Sequence, residues 1–154
     1  MIVSASYKRG VKLFEKKLVK ATDVIAKALK VPENSDVFVC QRVRTVDERP
    51  IVYSMDYFAP ELVAAFLAKN CENIFLYMFI EMDMGLKMGN SLAELIPINC
   101  SEELAKKLDY EKGKPILLIK QITYDQKGWT LFFTEEYFRP DRFKISLNRR
   151  RIKL

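Results

Sequence analysis

Apolar residues in this chain follow two rhythms, strand-like alternation and helical spacing, and the two take turns. Residues 37–44 (VFVCQRVR) are dense in β-branched and aromatic side chains and read as a strand. A polar reversal follows at 46–50 (VDERP), then a second strand at 51–58 (IVYSMDYF) that stops at Ala59-Pro60. Residues 36–60 therefore read as a β-hairpin. Upstream, 13–19 fit a first strand. Thr22-Asp23 supply an N-cap and an early acidic residue for a helix that is apolar at 24, 25, 28 and 29. The opening residues 1–10, ending Lys8-Arg9-Gly10, read as the tail of a helix closed by glycine.

Downstream, 61–69 is helical, with Leu62, Val63, Phe66 and Leu67 in one stripe. Residues 73–84 form a helix that is apolar nearly all round, a pattern of burial on most sides or of contact with a partner, and Gly85 caps it. Residues 92–98 make a strand that Pro97 places at a sheet edge. Ser101-Glu102-Glu103 start a helix that runs to Leu108. Residues 115–125 and 130–139 form a second hairpin across Gln126-Lys127-Gly128, and 143–147 alternate as a last strand.

The chain repeats itself. At an offset of 79, as from Thr22 to Ser101, TDVIAKAL falls on SEELAKKL and VFVC on ILLI. With one extra residue in the second turn, SMDYFAP meets TEEYFRP. Two helix-plus-hairpin units imply an α+β fold on one mainly antiparallel sheet with pseudo-twofold character.

One difference between the copies bears on function. Side chains alternate faces along a strand, so Arg42 and Arg44 share a face with Phe38 and Cys40. Two guanidiniums two residues apart make a fork suited to one anionic group. The second copy carries Gln121 and Thr123 there, so the shared architecture does not demand the arginines. Surface salt bridges to Asp47, Glu48 or Asp56 are the competing reading.

Composition narrows the chemistry. A chain of 154 residues, 49% hydrophobic and 30% charged, is one domain able to bury its own core, and we treat 1–154 as a single unit. Histidine is absent, which removes the Ser-His and Cys-His dyads and the commonest metal ligand. Cys40, Cys71 and Cys100 are odd in number and lack C-x-x-C spacing, so they read as buried thiols rather than as a disulfide framework or zinc site. No metal and no cofactor are expected, and a binding module is favoured over an enzyme. The net charge of +6 comes from dispersed lysines and arginines. The terminal cluster Arg149, Arg150, Arg151 and Lys153 reads as a solvated strand end, and direct nucleic-acid binding is not expected. No apolar run is long enough to span a bilayer and no signal-peptide pattern opens the chain, so a cytoplasmic location is expected.

The ordered motifs resemble a known family. R-V-R, a short turn with an acidic residue and proline, and an apolar strand ending near Pro60 resemble the start of the UTRA domain, the effector-binding half of HutC-type regulators of the GntR family. Tyr77 to Glu81 followed by Gly85 resembles its Y-x-x-hydrophobe-E-x-x-x-G helix. Ala105 to Leu108, then Gly113-Lys114-Pro115-Ile116, resembles the A-x-x-L…G-x-P-hydrophobe segment. Tyr124-Asp125 and Phe138-Arg139-Pro140-Asp141-Arg142-Phe143 resemble the closing elements.

The resemblance implies a fold related to chorismate lyase, a homodimer, a small anionic effector bearing a carboxylate or phosphate, and DNA contact only through a winged-helix domain outside this chain. It also implies site residues. In sugar-phosphate-sensing members, arginines matching Arg42 and Arg44 hold the phosphate, with a serine and a tyrosine on the buried helix. Here the tyrosine is Tyr77 and the serine position is Phe75. An acidic residue on the hairpin's second strand is replaced by Ser54, and acidic and tyrosine positions on the later strand fall on Phe132 and Phe138. A pocket altered in this way suits an anionic head on an apolar body. Two alternatives stand beside the sensor: a chorismate lyase-like enzyme, with Glu81 as its acid/base candidate, and a purely structural dimerisation module.

Overall fold

The computed structural model describes residues 7–69 and 76–152. Among these residues, six strands make one fully antiparallel sheet: β1 (Arg9–Lys20), β2 (Asp36–Val46), β3 (Arg49–Phe58), β4 (Met88–Asn99), β5 (Pro115–Asp125) and β6 (Thr130–Phe138). Their order is β1-β2-β3-β6-β5-β4. The helices among the described residues are α1 (Asp23–Leu29), α2 (Val63–Leu67), α3 (Leu76–Met78) and α4 (Glu102–Leu108).

The strand order reads the same from both ends once β1 is exchanged for β4, β2 for β5 and β3 for β6. A pseudo-twofold axis therefore passes between β3 and β6. Local chemistry repeats with the topology. Thr22 caps α1 by accepting from the Ile25 amide, and Ser101 caps α4 by accepting from the Leu104 amide. Both helices end on a left-handed residue, Lys30 at φ 57° and Asp109 at φ 49°. The first hairpin closes through Asp47 and Glu48, both at positive φ, a two-residue loop whose twist matches its strands. Asp47 also ties down the start of β1 by exchanging backbone and side-chain hydrogen bonds with Lys8.

The sheet has two unlike faces. On one, α1 packs Ile25, Ala28 and Leu29 against Val37, Val39, Tyr57 and Phe133, and α4 packs Leu108 against Val43 and Tyr53. On the other, residues 60–67 and 76–84 seal one end with Leu62, Phe66, Phe79 and Ile80 over Phe38, Phe58 and Phe132. Phe66 is the hub there, with ring centroids 4.3 Å from Phe58 and 5.4 Å from Phe79. The opposite end of this face is closed by Ile51, Val52 and Phe138 with Phe143. Between the two apolar ends lies a polar band.

Several expectations need correction. Gly10 does not close a helix: it lies in β1 opposite Thr45, where a Cβ would come within 2.8 Å of the threonine hydroxyl. Residues 143–147 form no strand. Their alternation needs a sheet edge, and β6, which precedes them, lies at the centre with β3 and β5 on either side. The helix read at 61–69 begins as a 3-10 turn at Pro60–Leu62 before α2. Of the helix read at 73–84, residues 73–75 lie outside the described set. The rest is the single turn α3 and a π-turn over Phe79–Asp83, with Leu76, Phe79 and Ile80 buried but Tyr77 and Met82 exposed.

Candidate functional site

The polar band is built by register. Arg42 of β2 stands opposite Ser54 of β3, Ser54 opposite Glu136 of β6, and Glu136 opposite Ile119 of β5. One row along, Cys40, Asp56, Thr134 and Gln121 are aligned in the same way. Arg44 begins the next row, followed by Val52, Phe138 and Leu117. Three strands thus bring two cations, two carboxylates and two hydroxyls together at the pseudo-twofold axis.

Arg42 is 2% exposed and donates from Nη2 to Asp56 Oδ2 at 2.7 Å. Thr134 donates its hydroxyl to the other oxygen of Asp56 at 3.1 Å. Burial opposes the charge on Arg42, but the adjacent, hydrogen-bonded Asp56 outweighs it and the guanidinium is held more firmly protonated than usual. Arg44 is looser. Its Nη1 lies 3.9 Å from Glu136 Oε1, and both side chains are about a quarter exposed, at 24% and 26%. Burial and the neighbouring Arg42 lower its pKa. Burial raises the pKa of Glu136, with Arg44 opposing. Ser54 is wholly buried, and its Oγ has no hydrogen-bond partner among the described residues.

The structure therefore brings together Arg42, Arg44 and Ser54. The fork is not open, however: a carboxylate faces each guanidinium. Of the three acidic partners weighed for the arginines, Asp56 is the one that meets Arg42, and it does so in the interior rather than at the surface. The other described residues singled out from sequence lie outside the polar band. Phe132 is buried in the apolar cluster beneath Phe66, and Phe138 stacks on Phe143 at 4.6 Å in the opposite cluster. Tyr77 is 51% exposed on α3, and Phe75 lies outside the described residues. Glu81, the acid/base candidate, is exposed.

Sequence reasoning missed Glu136 and Thr134. Their signal was present in the repeat, where SMDYF meets TEEYF: Ser54 is matched by Thr134 and Asp56 by Glu136. The four residues are two copies of one pair brought face to face by the β3–β6 pairing. No group of three or more potential metal ligands occurs among the described residues. Cys40 and Cys100 are buried and not joined in a disulfide, while Cys71 lies outside the described set. The described part of the basic end, Arg149 to Arg151, is exposed. No helix among the described residues is long and apolar enough to cross a membrane.

This arrangement defines a class: a duplicated α+β domain with a charged cluster on its internal axis. The chain belongs to the UTRA domain family, whose model matches residues 4–144. It is 27% identical over 134 residues to the HTH-type transcriptional repressor NagR of Bacillus subtilis, covering 87% of this chain and 55% of the relative. It is 24% identical to the HTH-type transcriptional regulator TreR of the same organism, over 80% of this chain and 52% of the relative. The chain thus spans about half the length of these curated relatives. In fold it is similar to the effector domain of PhnF from Mycobacterium smegmatis, with a TM-score of 0.81 at 18% identity, covering 95% of this chain and 88% of that one. A GntR-family regulator from Enterococcus faecalis is similar at a TM-score of 0.80 and 20% identity, over 92% of this chain and all of that one.

Proposed function

We propose that residues 1–154 form a single effector-sensing domain of a HutC-type regulator. It binds a small anionic metabolite at Arg44 and Arg42 and passes the event through a homodimer to a separate DNA-binding domain, with no chemistry of its own. The observation that carries this reading is the unequal pairing of the two arginines. Arg42 is locked to Asp56 at 2.7 Å, a distance of full ion pairing, whereas Arg44 and Glu136 stand 3.9 Å apart with partial access to solvent. A carboxylate or phosphate at Arg44 gains a tighter pair than Glu136 provides, and Ser54 offers a buried hydroxyl one row away. The absence of histidine from the sequence and the regulatory relatives also support binding over catalysis. Tyr77 and Met82, exposed beside the apolar end of this face, offer apolar surface for a partner copy.

The role of such a domain is differential binding: the effector favours one dimer geometry by as much as its affinities for the two geometries differ. A thermal-shift screen against sugar phosphates, carboxylic acids, fatty acids and amino-acid catabolites tests the reading. A ligand at a hundred times its Kd stabilises by about 2.7 kcal/mol, or several degrees at this chain length. A hit that disappears in Arg44→Ala supports the site; hits that persist in that variant refute it.

A further inference from the structure

The face of the sheet under α1 and α4 departs from the internal symmetry at one place. In both halves two aromatic rings stack across β3 and β6. Tyr53 lies on Tyr137 and Tyr57 on Phe133, each pair with centroids 5.9 Å apart and planes at 21°. Tyr53 and Phe133 are equivalent residues of the repeat, as are Tyr57 and Tyr137. One platform is occupied: α4 lays Lys107 on it, with Nζ 4.4 Å from the Tyr53 ring centroid and 3.4 Å from its hydroxyl oxygen. Tyr53 in turn donates to Gln41 Oε1 at 2.9 Å.

The other platform differs at the position of that lysine. The residue of α1 equivalent to Lys107 is Ala28, Phe133 has no hydroxyl, and Lys120 stands where the first half has Gln41. The space that a lysine fills in one half is a groove of about 480 Å3 in the other, lined by Ala28, Leu92, Glu94, Lys120, Ile122 and Phe133. Asp23 and Lys27 of α1 also line it and neutralise each other as an ion pair at 2.9 Å, which leaves the charges around Lys120 to set its balance. Lys120 is paired in register with Glu94 on one side and Glu135 on the other, so two carboxylates flank one ammonium. The counterpart of Glu135 in the first half is the uncharged Met55.

We propose that this groove is a second ligand site, on the opposite face from Arg42 and Arg44, for a small primary amine with an aliphatic stem. Its ammonium lies on the Phe133 ring as Lys107 lies on Tyr53, with Glu94 and Glu135 supplying the counter-charge. Its stem covers Ala28, Leu92 and Ile122, which the missing lysine leaves bare.

Methyl NMR of the full chain titrated with n-butylamine, with n-butanol as the uncharged control, tests the assignment. n-Butylamine should shift the Val24, Leu92 and Ile122 methyl signals saturably at millimolar concentration, and n-butanol should bind roughly threefold to fivefold more weakly. Glu94→Gln, a change on an exposed edge strand, should weaken the amine. Ala28→Lys should abolish its binding by placing a tethered ammonium on the ring. Equal binding of alcohol and amine, shifts confined to the arginine face, or no saturable shift in the unmodified chain would each overturn the proposal. Should Ala28→Lys fail to fold, Glu94→Gln decides: unchanged amine affinity in that variant also overturns it.

Discussion

Arg42 and Asp56 meet at 2.7 Å with both side chains almost wholly buried, at 3% and 2% exposure, on adjacent strands of a sheet that is apolar at either end. The second oxygen of Asp56 is held by Thr134 from across the pseudo-twofold axis. Such a pair organises the centre of the fold more than it stabilises it, because desolvating both charges offsets most of their attraction.

Removing one partner is a different matter. Asp56→Ala leaves a buried guanidinium without its counter-charge, a change that costs about 3–5 kcal/mol. At this chain length that is a fall in Tm of roughly 10 °C. Chemical denaturation of the purified variant checks it. A loss below about 1 kcal/mol would show that Asp56 is not what compensates Arg42.

Glu136 sets a pH dependence of opposite sense to that of most carboxylates. Burial raises its pKa above the ordinary range, so in the folded state it holds a proton at pH values where the unfolded chain has lost it. Its contribution is therefore fully favourable in acid and declines as pH rises from the ordinary glutamate range through the raised folded value. Glu135 titrates in the same direction, with burial again the largest cause. Stability measured from pH 4 upward should fall less steeply in Glu136→Gln than in the unmodified chain. An identical slope would place the proton elsewhere.

Arg139 explains part of the motif that marks the end of the domain. It is buried and donates to the Leu108 and Asp109 carbonyls at 2.9 and 2.8 Å, closing the C-terminal end of α4. Its other nitrogens make a two-point pair with Asp141, and the guanidinium lies 5.0 Å from the Tyr110 ring centroid. A lysine cannot satisfy this fork. Arg139→Lys should destabilise by about 1.5–3 kcal/mol, the range for hydrogen bonds to charged groups, with effector affinity unchanged. Loss of affinity without loss of stability would make Arg139 a ligand contact.

Phe132 is a test of core against pocket. It is 5% exposed and packs in one cluster with Phe58, Leu62, Phe66 and Phe79. Phe132→Glu removes a core ring, worth about 3–5 kcal/mol, and also buries a carboxyl group. It should yield a poorly folded chain rather than a switched ligand preference. A well-folded variant with a new ligand profile would put Phe132 in the binding pocket.

Much of the architecture was legible because the duplication is strong. The offset that carries Thr22 to Ser101 also carries β1 to β4, and the axis between β3 and β6 follows from it. The caps at Thr22 and Ser101 obey local rules and form as the sequence indicates. The site was only half legible. Spacing within β2 places Arg42 and Arg44 on one face, but which residues meet them depends on register between strands, which hydrophobic spacing along one strand does not encode. The alternation of 143–147 misled for a related reason, since β6, the strand before them, is already paired on both sides.

The measurement that tests the central claim most directly is the affinity of an anionic ligand found by screening for the unmodified chain, Arg44→Ala and Glu136→Gln, by calorimetry at neutral pH. Arg44→Ala should weaken binding roughly tenfold or more, the loss of one hydrogen bond to a charged group. Glu136→Gln should bind more tightly than the unmodified chain, because its carboxylate no longer competes for Arg44. Equal affinity in all three would contradict the assignment of the effector to this cluster.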